Sequence, residues 1–153
     1  MKNKSAPGVA VTLRPITPDN WEQCINLKTT DEQTRFVAAN LYSLTQAKVF
    51  PECIPLAIYH GETMIGFLMY ASTGNEGQHW IWRLMIDKDQ QGKGYGRAAM
   101  QEAIRLLKTR PDCKEIWLDF TPGNVVAERL YLSLGFEKMG KDEKGEIVVR
   151  LRV

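Results

Sequence analysis

The sequence has few cysteines, almost no net charge and no long hydrophobic run, and each of these absences excludes a class of protein. The three cysteines, Cys24, Cys53 and Cys113, are odd in number and widely spaced, so they predict neither a disulfide framework nor a metal site. The 20 basic residues nearly balance the 18 acidic ones, which argues against binding to nucleic acid or to a membrane surface. No apolar stretch reaches the roughly 18 residues of a membrane span. The first residues, MKNKSAPGVAV, lack the apolar core of a signal peptide, so we expect a cytoplasmic protein.

The hydrophobic pattern predicts a single domain over residues 1–153, with a loose arm at residues 1–8. Alternating or continuous apolar runs predict strands at 9–16, at 54–71 as a hairpin with its turn at 60–62, at 79–86, at 114–120, and at 136–140 and 146–153 as a second hairpin. Helical spacing predicts helices at 17–27, 31–50, 97–110 and 125–134. The helix between 79–86 and 114–120 makes a crossover, which implies that these two strands are parallel. The fold class is therefore α/β, with one mixed and mostly antiparallel sheet and helices on both faces.

A glycine-rich loop, DKDQQGKGYG at 87–96, precedes the third predicted helix. The first N–H groups of a helix have no partners, and the helix dipole adds positive potential, so this loop is a candidate anion site. The loop could also be a plain turn, but a turn needs fewer than the three glycines found here. Residues 94–99 also fit the G-x-G-x-x-A dinucleotide fingerprint, with Asp119 about 20 residues on, but DKDQQ separates the strand from the glycines. A P-loop is excluded because no Lys-Ser/Thr pair follows the last glycine.

Two sequence motifs resemble those of the GCN5-related N-acetyltransferase (GNAT) family. The hexapeptide Gln91-Gly92-Lys93-Gly94-Tyr95-Gly96 reads Q-x-x-G-x-G, like motif A, whose loop binds the pyrophosphate of acetyl-CoA. The segment 124–136, NVVAERLYLSLGF, resembles motif B, N-x-x-A-x-x-L-Y-x-x-L-G-F. With the β-α-α-β-β-β order that precedes them, the resemblance covers nearly the whole chain. It implies a GNAT-like sheet whose central parallel strand pair splays apart.

The resemblance also implies roles for individual residues in an acetyl-CoA site. The strand residues Leu84, Met85 and Ile86 would bind the pantetheine arm and polarise the thioester carbonyl. The loop from Gln91 through Gly92, Lys93, Gly94 and Tyr95 to Gly96 would hold the pyrophosphate, with Arg97 close behind. Asn124 would bind the cofactor arm, and Tyr131 would protonate the leaving thiolate as general acid. On helical spacing alone, Ala127, Leu130 and Leu134 are core residues, and without motif A Tyr131 would be an ordinary half-buried tyrosine.

The acceptor is expected to be a small-molecule primary amine, because the whole sequence resembles bacterial spermine/spermidine acetyltransferases. A polyamine site needs carboxylates or aromatic faces, and the candidate acceptor residues are Glu32, Trp82 and Asp119. The general base is not decided by the sequence, and four candidates remain: Glu32, Asp87, Asp119 and His79. Arg83 stands in a strand where polyamine enzymes often carry an acidic residue, and Trp82 is equally explained by packing in the sheet.

Other functions and an oligomer also remain open at this stage. The acceptor is alternatively a protein N-terminus, a lysine or an antibiotic amine, or the chain is an acyl-CoA-binding module without catalysis. Relatives of this size are often homodimers, and the apolar last strand, EIVVRLRV, could pair at a sheet edge.

Overall fold

The computed structural model describes residues 8–73 and 76–153, and their core is one seven-stranded mixed sheet. The strands are β1 (Thr12–Pro15), β2 (Cys53–His60), β3 (Thr63–Ser72), β4 (Gln78–Ile86), β5 (Glu115–Phe120), β6 (Glu137–Lys141) and β7 (Ile147–Arg152). They lie in the order β1-β2-β3-β4-β5-β7-β6. Only β4 and β5 pair in parallel, so the expected crossover is confirmed. The predicted arm lies almost entirely outside the described residues.

In the described part of the chain, four α-helices cover the two faces of the sheet. They are α1 (Trp21–Asn26), α2 (Asn40–Val49), α3 (Tyr95–Lys108) and α4 (Val125–Ser133). Residues of α3 and α4 join the larger hydrophobic cluster, with strand residues such as Leu68, Ile116 and Val149. Residues of α1 and α2 join a second cluster around Phe67 and Met69. The α/β class with helices on both faces is therefore confirmed.

The long helix that the sequence predicts at 31–50 is only partly present. Asp31–Gln33 form a single 3₁₀ turn, and the α-helix begins at Asn40. Thr30 and Gln33 make a capping box around that short turn, which satisfies the backbone locally and lets the chain change direction. Residues 34–39 are consequently irregular, and several of them face the cavity described below.

The parallel strands β4 and β5 are paired for only part of their length. Their register runs from the pair of Gln78 and Glu115 to the pair of Trp80 and Trp117, and no further pair follows in the described residues. On the other side of β4, the register with β3 shifts at Trp82, which is a β-bulge. A bulge bends its strand and redirects the side chains that follow. The two strands therefore diverge toward their carboxyl ends, which is the expected splay.

The position of β7 contradicts the expectation that the last strand lies at an exposed edge. It is flanked by β5 and β6, so its backbone groups are paired on both sides. The edge strands are β1 and β6, and β6 carries Glu137, Lys138 and Lys141, whose charges disfavour pairing with another sheet. Within the described residues, no helix is long and apolar enough to cross a membrane.

Candidate active site

A cavity of about 1470 Å³ opens where β4 and β5 diverge, and most of the predicted site residues line it. The predicted residues in its wall are Glu32, Trp82, Leu84, Met85, Ile86, Gln91, Gly92, Gly94, Tyr95, Gly96, Asp119, Asn124 and Tyr131. Residues from β4, the glycine loop, β5 and α4 therefore meet at one site, although they are far apart in the sequence. Lys93 and Arg97 are exposed and do not belong to this wall.

The glycine loop forms a backbone cradle at the start of α3. Gly92 and Gly94 have φ angles of 76° and 83°, a left-handed conformation that favours glycine. No protein atom lies within 4 Å of a Cβ built on Gly92, and only a methyl carbon of Val9, at 3.8 Å, lies near one built on Gly94. Ala98 donates the first bond of the helix, to Gly94, so the preceding N–H groups are left for a ligand. A cradle of this shape and potential fits a phosphate group.

The side chain of Gln91 has a structural role within this loop. Its Nε2 donates to Oε1 of Gln33 at 2.7 Å and to the carbonyl oxygen of Ile86 at 3.0 Å. Gln33 donates in return to Oε1 of Gln91 at 3.1 Å. The Gln91 amide therefore ties the loop to β4 and to the segment before α2, and only its backbone N–H is left to face an anion.

The two cations near the loop are held by neighbouring side chains. Nζ of Lys93 donates to Gln90 at 3.1 Å, and the guanidinium of Arg97 donates to the hydroxyl of Ser133 at 2.6 Å. Both remain exposed at the rim of the cradle. They are placed to add positive potential there rather than to contact the centre of the cavity.

Helix α4 presents its first residue and its last turn to the site. The Oδ1 atom of Asn124 accepts from the N–H of Ala127 and caps the helix, which leaves its Nδ2 group as the available donor. Tyr131 is half-buried between the rings of Phe120 and Phe136, at centroid distances of 5.8 and 6.0 Å. Burial, together with the charge of Asp119, raises the pKa of the Tyr131 hydroxyl to about 12. The group therefore stays protonated at neutral pH. Gly135, with a φ of 96°, ends the helix as predicted.

The residues of β4 that line the cavity divide between the two hydrophobic clusters. Leu84 and Ile86 pack with the cluster under α3 and α4, whereas Trp82 and Met85 pack with the cluster under α1 and α2. Arg83 follows the bulge and lines the cavity. Its guanidinium donates to the carbonyl of Trp82 at 2.9 Å and to Gln46 of α2 at 3.2 Å. Its buried Nε has no hydrogen-bond partner in the described part of the chain.

The structure separates the four candidates for a general base. Asp87 lies outside the cavity wall, and its carboxylate accepts from the backbone N–H groups of Lys28 and Asp89. His79 is buried at the other end of β4, with Nε2 3.4 Å from Asp112. Glu32 and Asp119 line the cavity. Burial, the charges of Asp142 and Glu146, and a hydrogen bond to Asp142 raise the pKa of Asp119, while Arg83 lowers it.

The acidic turn between β6 and β7 was missed by the sequence reasoning. Asp142, Glu143 and Glu146 line the cavity beside Asp119. They reach it because β7 pairs antiparallel with β5, which brings Ile147 opposite Phe120. The sequence signal was the acidic composition of KDEKGE at 141–146, which the turn prediction alone did not use. Among residues 8–73 and 76–153, no group of His, Cys, Asp and Glu side chains is arranged to hold a metal ion.

Comparisons with known proteins agree with this geometry. Residues 16–136 match the acetyltransferase (GNAT) family. A probable spermine N(1)-acetyltransferase of Bacillus subtilis subsp. natto (strain BEST195) is 29% identical over 148 residues, covering 92% of this chain and 97% of the relative. The fold is similar to that of spermidine N-acetyltransferase from Vibrio cholerae in complex with CoA and spermine, with a TM-score of 0.73, 18% identity and 94% of each chain covered. It is also similar to that of the aminoglycoside acetyltransferase AAC(6')-Ib in complex with coenzyme A, with a TM-score of 0.78, 20% identity and coverage of 94% of this chain and 95% of the other. Because the family match spans most of the chain, the protein belongs to the acetyltransferase (GNAT) family.

Proposed function

We propose that this N-acetyltransferase transfers the acetyl group of acetyl-CoA to a primary amine of a polyamine such as spermine or spermidine. The observation that carries the acceptor class is the charge of the cavity wall. Its acidic side chains are Glu32, Asp119, Asp142, Glu143 and Glu146, and its basic ones are Arg35, Arg83 and Lys144. The acidic excess attracts a polycation. The relative named as a probable spermine acetyltransferase supports the same acceptor.

The glycine loop and β4 are proposed to hold acetyl-CoA, which supplies the acetyl group as an activated thioester. The free N–H groups of the loop 91–96 would bind the pyrophosphate. The carboxyl-terminal half of β4, unpaired with β5, would bind the pantetheine arm through Leu84, Met85 and Ile86 and polarise the thioester carbonyl. Nδ2 of Asn124 would donate to the same arm. Binding both substrates in one cavity supplies proximity and orientation.

Tyr131 is proposed to protonate the departing thiolate. Its raised pKa keeps the proton on the phenol until charge develops on sulfur. Tyr131 shares the cavity wall with the β4 residues and with Asn124, where the acetyl group would lie. A binding module without catalysis has no need of a proton donor at this position, so the arrangement favours an enzyme.

An aminoglycoside is the second candidate acceptor. It is favoured by the similarity of the fold to that of the aminoglycoside acetyltransferase AAC(6')-Ib. An aminoglycoside carries its amines on a bulkier frame. The two acceptors share the need for carboxylates but differ in the width of cavity that they require.

The acceptor is tested by measuring thiol release from acetyl-CoA with purified protein and a panel of amines. The panel contains spermine, spermidine, putrescine, lysine, an aminoglycoside and short peptides with free N-termini. We expect turnover on spermine and spermidine, with kcat/KM at least tenfold above that for lysine, because lysine carries a carboxylate that the acidic wall repels. Turnover confined to the aminoglycoside or to the peptides would overturn the polyamine assignment.

A further inference from the structure

We propose that Asp119, paired with Asp142, is the general base that removes the proton from the acceptor ammonium. This inference rests on the proposed function, since it assigns a role within the same cavity. A base is needed because an alkylamine has a pKa near 10.4, so at pH 7 only about one molecule in a few thousand carries a free electron pair.

The position of Asp119 follows from strand alternation. Leu118 and Phe120 are buried in the cluster under α3 and α4, so Asp119 points to the opposite side, into the cavity. It lies beyond Trp117, where β5 is no longer paired with β4. Asp119 therefore lines the cavity at the level where the two strands are no longer paired.

The partner carboxylate is held in place by the turn between β6 and β7. Oδ1 of Asp142 accepts the backbone N–H groups of Lys144 and Glu146, each at 2.9 Å. Asp142 lines the cavity together with Asp119, and its negative charge favours the protonated form of Asp119. A carboxylate near a second, fixed carboxylate takes up a proton more readily than an isolated one, because the proton relieves the repulsion between the two charges.

Charged groups from every neighbouring element act on Asp119. Asp142 and Glu146 of the turn favour its protonated form, and Arg83 of β4 opposes them more weakly. Tyr131 of α4 lies close enough for the charge of Asp119 to raise the pKa of its hydroxyl. The carboxyl group and the phenol therefore act on the same volume of the cavity, one as proton acceptor and the other as proton donor. A carboxylate with a raised pKa is a better base near neutral pH than an ordinary surface carboxylate.

Glu32, the other carboxylate candidate, lacks these features. Asp119 adjoins Phe120, whose ring packs against that of Tyr131 at a centroid distance of 5.8 Å, whereas Glu32 lies on the 3₁₀ turn that precedes α2. Its place in the wall suits attraction of a distal ammonium rather than proton removal at the reacting nitrogen.

The proton balance of the transfer is complete with these two groups. An N–H bond of the ammonium breaks, its electron pair stays on nitrogen, and the proton forms an O–H bond on Asp119. The nitrogen pair then forms the C–N bond to the acetyl carbon, and the C–S bond breaks with its pair left on sulfur. Sulfur takes the phenolic proton of Tyr131, and a second proton from nitrogen restores the phenol. The proton on Asp119 leaves to water.

The test compares Asp119→Asn and Asp142→Asn with Glu143→Gln, a matched removal of one charge from the same cavity wall. Asparagine nearly matches aspartate in size, and at position 142 it keeps the Oδ1 acceptor for Lys144 and Glu146, so both variants are expected to fold. We expect Asp119→Asn to lower kcat/KM on spermine by about a hundredfold or more and to remove the acidic limb of its pH profile. Asp142→Asn should move that limb to lower pH, because a negative charge next to Asp119 is lost, and Glu143→Gln should leave it in place.

A second measurement does not depend on turnover. In protein labelled with ¹³C at aspartate carboxyl carbons, one carboxyl should titrate above the usual aspartate range, vanish in Asp119→Asn and titrate at lower pH in Asp142→Asn. If the wild type is active but Asp119→Asn stays within threefold of it with the same pH profile, the base assignment is overturned and the proposed function stands. If the wild type acetylates no amine of the panel, the proposed function fails and the base assignment fails with it, whatever the titration gives.

Discussion

At the residue scale, the role proposed for Tyr131 can be separated from a role in packing. Removing its hydroxyl in Tyr131→Phe keeps the ring between Phe120 and Phe136. We expect turnover to fall by about ten- to a thousandfold, because the thiolate loses its proton donor. The affinity for CoA should barely change. Thiol release gives the turnover, and calorimetry gives the affinity.

The control for this variant is Tyr70→Phe, which removes a hydroxyl from a buried tyrosine of the same hydrophobic cluster. Tyr70 does not line the cavity, so its variant should keep full turnover. A Tyr131→Phe enzyme whose turnover lies within twofold of the wild type would make Tyr131 structural. Because the pKa of Tyr131 is raised to about 12, no loss of activity from its ionisation is expected below pH of about 11.

Single residues that a sequence motif singled out lie together in the structure. Asn124 and Tyr131 were placed by one pattern, and both line the cavity. Asp142 was missed because its position depends on the pairing of β7 with β5, which is a contact between distant parts of the chain. Gln91 lines the cavity, and its amide binds Gln33, a partner 58 residues away that no local pattern indicates.

At the element scale, the loop before α3 is expected to bind a phosphate through its backbone. The backbone at Gly94 has a φ of 83°, and in Gly94→Ala the new methyl group enters the open cradle. We expect the dissociation constant for CoA to rise at least tenfold, because the close approach of the pyrophosphate is blocked. Calorimetry with CoA measures this without any acceptor.

The matched control is Gly61→Ala in the turn between β2 and β3. Gly61 also has a positive φ, of 59°, and open space around its Cβ position, but it lies away from the cavity. Both variants should lose about 1–2 kcal/mol of stability from left-handed strain, measured by urea unfolding. Only Gly94→Ala should lose affinity for CoA. Equal CoA affinities in the two variants would mean that the loop does not hold the pyrophosphate.

Elements with strong local signals were predicted with the right type, and elements fixed by tertiary contacts were not. Apolar spacing and the glycines placed α3 and α4 within about two residues. The helix expected over 31–50 breaks because Thr30 and Gln33 cap a short turn and Gln33 is bound to Gln91. The bulge at Trp82 has no sequence signature, since tryptophan fits a regular strand equally well.

At the scale of the whole molecule, the order of elements was predicted but the order of strands in the sheet was not. The insertion of β7 between β5 and β6 was not visible in the hairpin pattern, which only pairs neighbours in sequence. Because β7 is not an edge strand, it does not offer a sheet edge at which a second copy of the chain could pair. It also brings the acidic turn to the cavity, so topology rather than local sequence places three of the five acidic residues in the cavity wall.

The stability of the whole molecule is expected to fall as the solution becomes alkaline. Burial raises the pKa of the Cys24 thiol from 9.0 to about 11, and the pKa of Tyr131 is raised from 10.0 to about 12. Above pH 9 the unfolded chain loses the thiol proton while the folded chain keeps it, so the unfolded state binds fewer protons and is favoured. The free energy of unfolding should therefore decrease between pH 9 and pH 11, by up to about 1.4 kcal/mol per pH unit from Cys24 alone. Tyr131 adds to the decrease above pH 10.

Urea unfolding between pH 8 and pH 11 measures this decrease in the wild type, in Cys24→Ala and in Cys113→Ala. Cys24 is completely buried, whereas Cys113 is only half-buried. Burial and the charge of Asp112 raise the pKa of the Cys113 thiol, and Arg110 lowers it. Cys24→Ala should flatten the decrease between pH 9 and pH 10, and Cys113→Ala should flatten it less. If the wild type and Cys24→Ala lose stability in parallel over that range, the buried thiol does not govern the alkaline limit of the fold. The limit would then be set by other groups whose protons differ between the folded and unfolded states.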